Sequence, residues 1–506
     1  MQKQTKFYLL IFVLIFLNQT INSQILHGKI KNFANKEFMI YIHCGDSLVP
    51  VSRLKTNSNG EFIFDLKEIN NVIAKLENKY KFTKFIFLRI ELHKERNQYA
   101  DFLILSSYKN ELSVNSELPY KGELKDIRIS LTYNPSLWFN FATDSAVVRY
   151  SVLNKNLYKF LKQYRKVQVA ESWLIEMSRL FPYTDEFSKT LINEYYKRYK
   201  KMEILAKEFL KSPNRPDAKV ALAYYRPVVP QHDLPDEERF KIFRKHFWDY
   251  FDPNDSLFAF SPVLIDKFEE WVDLHKKYND KTARLHLENE DIITAINTFI
   301  EKIDKNNQNK EIILRYTLKK LDKNEDKRLF LKIYDKWLKQ EEKDSLFKDT
   351  VWNWAHKKAS IYRNIVIGAT APNFDIYQYS ISMHEISSDI TLVVFWASWC
   401  NICRQEIPRI RDVINYWKSE NYNFSLVPIF ISLDYDYNEW ENYIKDNKLE
   451  EFIHVCEFNG WKSSIPKKYN INAIPQIFIL DRNKKIFATA TLDVQLYYYL
   501  NKIVQK

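Results

Sequence analysis

Two cysteines, Cys400 and Cys403, stand with two residues between them, just after the apolar run Thr391 to Trp396. A pair at that spacing can close a small disulfide ring or hold one side of a zinc ion. Zinc takes four ligands, usually from a second such pair or from two histidines. The chain has neither, because its other cysteines, Cys44 and Cys456, stand alone. The chemistry that fits is reversible exchange between a dithiol and a disulfide, with a purely structural disulfide as the other reading. The residues imply no metal site and no cofactor.

Such exchange needs one sulfur that attacks and one that resolves, held at fixed separation. Thr391-Leu392-Val393-Val394-Phe395-Trp396 is short and β-branched enough to be a buried strand. A helical pattern opens just after it, so Cys400 falls at a helix start. Unpaired N–H groups and the helix dipole favour negative charge there. Cys400 is therefore expected to be the more acidic and more exposed sulfur, the nucleophile. Cys403, one turn further in, is the expected resolving thiol.

Phe395-Trp396-Ala397-Ser398-Trp399-Cys400-x-x-Cys403, with Glu406 and Pro408 following, resembles the active-site segment of extracytoplasmic TlpA/ResA-type members of the thioredoxin fold. Ile367-Gly368-Ala369-Thr370-Ala371-Pro372-Asn373-Phe374 is similar to the opening segment of that group, and Tyr469 to Asp481 resembles the stretch carrying its cis-proline. The resemblance spans 362–506. It implies a C-terminal α/β thioredoxin fold and protein substrates carrying disulfides or thiols, with a separate electron-donor protein. It also implies a cis bond before Pro475, which leaves the Ile474 backbone free to pair with an extended substrate. Trp399 is an apolar shoulder for substrate or a packing residue. Glu406 is a proton shuttle for Cys403 or a solvated first-turn glutamate. Four positions depart from the pattern: Val394 replaces thioredoxin's buried aspartate, Ala397 the threonine of peroxidases, Asn401-Ile402 lacks the usual Pro or His, and Gln476 stands where Thr is commoner.

At 506 residues the chain exceeds a single core. An apolar fraction of 46% beside 28% charged residues is globular. The net charge of +12 is dispersed without a basic block, so it implies a solvated surface and no nucleic-acid partner. Residues 1–23 have the form of a secretory signal: Lys3 and Lys6, an apolar core from Phe7 to Leu17, and a polar end before Gln24. That core is too short for a stable membrane anchor. The expected location is periplasmic or otherwise extracytoplasmic. Cys44 and Cys456 are then expected as buried free thiols, with a bridge between them as the alternative.

Residues 24–133 carry short apolar or alternating runs from Ile25 to Leu131, with a turn signal at Thr56-Asn57-Ser58-Asn59-Gly60, and predict an all-β sandwich. This stretch also resembles the sandwich found ahead of many extracytoplasmic thioredoxin-like domains. Residues 134–360 switch to helical spacing, as in Asp185 to Leu210 and Val263 to Tyr278, and predict an all-α middle region. The aromatic stretch His246 to Asp252 fits helix packing better than a ligand site. The function expected overall is thiol-disulfide exchange, in the reducing or isomerising direction. The alternative is a non-catalytic protein that uses the C-terminal fold to hold extended peptides.

Overall fold

The computed structural model describes residues 25–504 apart from 78–79, 84, 94–97, 106–126, 133–146, 150, 179–180, 182–183, 229–233, 280–283, 287–288, 325, 340–349 and 421–422. The expected signal segment, 1–23, lies outside the described residues. The chain divides into two compact units between Thr317 and Leu318. No helix among the described residues is long and apolar enough to cross a membrane.

The first unit opens with β1 (Ile25–Lys31), β2 (Glu37–Cys44), β3 (Ser47–Lys55) and β4 (Glu61–Asp65). Helix α1 (Lys67–Leu76) follows, then β5 (Phe85–His93), β6 (Gln98–Leu105), β7 (Ile127–Thr132) and β8 (Val147–Arg149). These strands form two four-stranded sheets, ordered β4-β1-β7-β8 and β3-β2-β5-β6. Alternation places Leu26, Ile30, Phe62 and Phe64 inward from one sheet and Phe38, Ile40 and Ile42 inward from the other. The rings of Phe38 and Phe62 meet at 4.7 Å. The turn before β4 forms as its residues require: the Asn57 side chain accepts from the N–H groups of Asn59 and Glu61, and Gly60 takes φ +74°. Helix α1 and strand β8 were not anticipated from sequence. Ile69 and Ile73, one turn apart, give α1 its buried face.

Helices α2 (Val152–Ser178), α3 (Glu186–Leu210), α4 (Pro216–Tyr224) and α5 (Asp236–Lys245) come next. Asp185 caps α3 by accepting from Phe187 N, and Pro216 occupies the first turn of α4. Helix α6 (Val263–Asp273) ends five residues short of the Tyr278 expected from its periodicity. The reason is capping: His275 Nδ1 bonds the Trp271 carbonyl and Arg244 takes that of Leu274. The chain then turns into a small hairpin, β9 (Lys277–Asn279) with β10 (Arg284–His286). Helices α7 (Asn289–Glu301) and α8 (Gln308–Lys323) complete this part. Phe247 and Phe251, from the aromatic stretch, are buried among Trp271, Phe258 and Phe299.

The second unit continues with α9 (Lys327–Trp337) and α10 (Thr350–Arg363), then the short strands β11 (Asp375–Ile376) and β12 (Ile381–Ser382). The remaining elements alternate: β13 (Ile390–Trp396), α11 (Asn401–Glu420), β14 (Leu426–Ser432), α12 (Tyr437–Asp446), β15 (Ile453–Cys456), α13 (Ser464–Lys468), β16 (Gln476–Leu480), β17 (Ile486–Ala490) and α14 (Asp493–Ile503). The sheet order is β15-β14-β13-β16-β17. β13 and β15 flank β14 in parallel, whereas β16 runs antiparallel to both β13 and β17. All seven residues of β13 are buried, as a strand covered on both faces demands. It is the central strand of the sheet, and the cysteine pair follows its end.

In the first unit β6 is an edge strand whose free backbone groups need a partner. Buried Asn154, near the start of α2, provides one: its Oδ1 accepts from Leu103 N at 2.8 Å and its Nδ2 donates to Leu103 O at 2.6 Å. Asn154→Leu should lower the unfolding free energy of this unit by about 3 kcal/mol, since two buried backbone groups lose their partners. Denaturant titration followed by far-UV circular dichroism measures it.

Candidate active site

The site is built where β13 stops. Ala397, Ser398 and Trp399 carry the chain from the strand to α11, and Cys400 stands immediately before the helix. Its carbonyl accepts from Arg404 N at 2.9 Å, the first intrahelical bond. Its sulfur accepts from Cys403 N at 3.2 Å. Cys400 Sγ thus takes the role of a helix-capping acceptor, at the end of the helix where negative charge is favoured. The two cysteines are not bonded to each other. Cys400 retains 9% of its surface and Cys403 none, so the outer sulfur is the accessible one of the pair. Burial pushes the Cys403 thiol well up, and the neighbouring Cys400 sulfur adds to the effect.

Opposite the pair, the bond between Ile474 and Pro475 is cis, and Pro475 leads directly into β16. Cys400 Sγ lies 3.7 Å from the Ile474 carbonyl oxygen. The antiparallel register of β16 on β13 sets Gln476 beside Phe395 and thereby brings this loop to the sulfur. Trp399 is 41% exposed, and its Nε1 donates to Leu433 O at 3.2 Å. Trp461, 40% exposed, lies 6.4 Å from it. The preceding Gly460 has φ +51°, and a Cβ there would meet the Tyr435 ring at 2.0 Å. Glycine alone lets Tyr435 and Trp461 sit together on this rim.

Glu406 is buried on α11, not solvated. One carboxylate oxygen accepts from Arg409 Nη1 at 3.1 Å and the other from Asp493 N, at the start of α14, at 3.4 Å. The residue therefore ties the active-site helix to the closing helix. Val394 is fully buried with no polar replacement on that side chain. Cys44 is buried and Cys456 partly so, and neither is in a disulfide; burial raises the Cys456 thiol. Among the described residues no group of three or more His, Cys, Asp or Glu side chains converges on one point.

Sequence reasoning missed the carboxylate that holds the loop. Asp434, two residues beyond β14, is completely buried. Both its oxygens lie 3.1 Å from Ser398 N, Oδ1 accepts from Ser398 Oγ at 2.6 Å, and Oδ2 accepts from Ser432 Oγ at 2.5 Å. Leu433 N adds a bond to Trp396 O at 2.8 Å. The loop before Cys400 is thus gripped from the neighbouring strand. Replacing Asp434 removes the acceptor for three donors. Asp434→Ala should slow disulfide exchange roughly tenfold to a hundredfold, the usual scale for a displaced reacting group. Iodoacetamide labelling of Cys400 should slow in parallel, and stopped-flow kinetics with mass mapping measures both.

The family model described as thioredoxin-like matches residues 388–486. The thiol-disulfide oxidoreductase ResA of Bacillus cereus is 28% identical over 146 residues, which are 27% of this chain and 78% of that protein. The sporulation thiol-disulfide oxidoreductase A of Bacillus subtilis is 29% identical over 99 residues, 20% of this chain and 57% of that one. Among solved structures, the C-terminal domain of a putative thiol-disulfide oxidoreductase from Bacteroides thetaiotaomicron is 28% identical, with a TM-score of 0.25 over 28% of this chain and 98% of that chain. A thioredoxin-like protein from Bacteroides caccae is 18% identical, with a TM-score of 0.38 over 55% of this chain and 98% of that chain. The C-terminal part of this chain is a thioredoxin-like domain, and thiol-disulfide oxidoreductases are its relatives.

Proposed function

We propose that the protein is an exported thiol-disulfide oxidoreductase that reduces or isomerises disulfides of other proteins through Cys400 and Cys403. The observation carrying this reading is the asymmetry of the pair: an outer sulfur capping a helix, over a fully enclosed inner one. Cys400 attacks a substrate disulfide as thiolate, forming one S–S bond to substrate and expelling the other substrate sulfur as a thiolate. Cys403 then loses its proton and attacks Cys400 Sγ. The mixed disulfide breaks, the second substrate sulfur leaves, and the two electrons of the dithiol have passed to the substrate. An electron-donor protein restores the pair. In isomerisation the expelled substrate thiolate returns to attack the mixed disulfide instead.

Ile474 and Pro475 border the attacking sulfur, and the Ile474 backbone is the partner we assign to an extended substrate segment. Trp399 forms the apolar shoulder, widened by Trp461. Glu406 fixes α11 against α14, and we assign it proton transfer with Cys403 as well. The two sheets ahead of this domain, meeting at Phe38 and Phe62, are read as a β-sandwich in 24–133 that docks partners. In the sequence, the helical region over 134–360 comes between it and the redox domain at 362–506. The exposed aromatic rim also suits a protein that only grips extended peptides, and loss of the nucleophile separates the two readings.

Cys400→Ser should abolish insulin reduction while the fold persists. Cys403→Ser should accumulate covalent complexes that dithiothreitol releases. Near neutral pH Cys400 should alkylate before Cys403, whose thiol is pushed up by burial. Glu406→Gln should slow turnover roughly tenfold to a hundredfold and alter its pH profile. Labelling of Cys403 first, or trapping by Cys400→Ser alone, would reverse the two roles. Unchanged reduction by Cys400→Ser would leave only the binding reading.

Export rests on residues 1–23. Intact-mass analysis of protein from the producing cell should find a chain beginning near Gln24. A cytosolic product that retains Met1 would remove the exported compartment from the proposal.

A further inference from the structure

The first unit contains a cavity of about 740 Å³, within the size range of small-ligand sites. Its wall combines tyrosines, including Tyr164 and Tyr224, with ionised side chains from β5, β6 and helices α2, α5 and α6. Most of those charges are already paired. Arg89 forks onto Asp101 at 2.7 and 2.7 Å and lies over the Tyr99 ring at 3.5 Å. Arg226 is shared between Glu270, at 3.0 Å from its Nε, and Glu171, at 3.3 Å from its Nη1. Lys267 closes that set on Glu270 at 2.7 Å. Such satisfied networks hold the wall in one arrangement and leave those groups little capacity for a ligand.

Asp266 is different. It lines the same cavity, yet among the described residues no lysine, arginine or histidine lies within ion-pair distance of it. Its bond is to the Tyr224 hydroxyl, 2.6 Å from Oδ2. The Tyr224 ring lies 5.2 Å from that of Tyr164, so aromatic surface adjoins the carboxylate. Asp266 is exposed on the cavity wall; desolvation by the surrounding protein pushes its carboxyl up, and the Arg89 charge acts the other way. A carboxylate on a cavity wall beside aromatic rings, with no cation bonded to it, has the chemistry that recognises an ammonium or guanidinium group.

We infer that this cavity binds an organic cation, with Asp266 as the counter-charge and Tyr164 and Tyr224 flanking it. The cation belongs either to a free amine or to a basic side chain of a polypeptide. This site is independent of the dithiol reading.

Isothermal titration of the full chain tests it with two probe pairs: benzylamine against benzyl alcohol, and the tripeptide Ala-Lys-Ala against Ala-Gln-Ala. At least one cation should bind saturably at one per chain, at least tenfold more tightly than its neutral counterpart. Preference for benzylamine identifies a free amine, and preference for Ala-Lys-Ala a basic side chain. Asp266→Asn should weaken binding at least tenfold, whereas Asp273→Asn, at a carboxylate already paired with Lys276, should change it less than twofold. Circular dichroism confirms that each variant is folded, and the wild-type contrast between charged and neutral probes decides the matter if Asp266→Asn is not. The inference falls if neither cation binds saturably, if the neutral probes bind as well, or if folded Asp266→Asn retains full affinity.

Discussion

The chemistry of the C-terminal domain depends on one mechanical constraint: the loop between a rigid strand and a helix start must not move. β13 cannot shift, because it is buried along its whole length and bonded on both sides. The helix cannot shift either, because Ile407, Ile410 and Ile414 are fully enclosed along one face of it. What remains is the loop from Ala397 to Trp399, and buried Asp434 holds it by accepting the Ser398 backbone and hydroxyl hydrogens together. A carboxylate fully enclosed among N–H and O–H donors keeps its place because any displacement would strand those donors without partners.

That constraint makes the two chemically identical cysteines different. They stand one helix turn apart, yet one sulfur receives an amide hydrogen at the helix start while the other is fully enclosed. Burial penalises charge at the second position. Nothing in the residue type separates them; their surroundings do. The same reasoning applies to Glu406, a charged residue enclosed because its two oxygens find partners on different helices.

The first unit shows the opposite use of polar groups. Arg315 and Asp46 are almost wholly enclosed and bond at 2.7 Å, and the cavity wall is laced with ion pairs. Enclosed ion pairs of this kind add little net stability against well-packed apolar groups, but losing one partner is costly. They specify one arrangement of the interior, and in that setting the Asp266 carboxylate, bonded to a tyrosine hydroxyl and to no cation, stands out.

By itself the sequence determined whatever depends on neighbours along the chain. The strand before the cysteines, the helix after them and the place of Cys400 at the helix start all follow from Thr391 to Pro408. The seven strand runs between Ile25 and Leu131 were legible for the same reason, since alternation and turn residues act locally. The helix end at Asp273 was not legible, because Arg244, thirty residues earlier in the chain, caps it. Nor was the grip of Asp434 on Ser398, across an interval of 36 residues. Parallel pairing of Trp396 with Ser432 brings these two together, and no periodicity in either segment encodes that register. Tertiary structure likewise decided that Glu406 is enclosed, that Trp461 joins Trp399, and that Asp266 faces a cavity. Each of these depends on which distant backbone happens to lie opposite, a property of packing and not of local sequence.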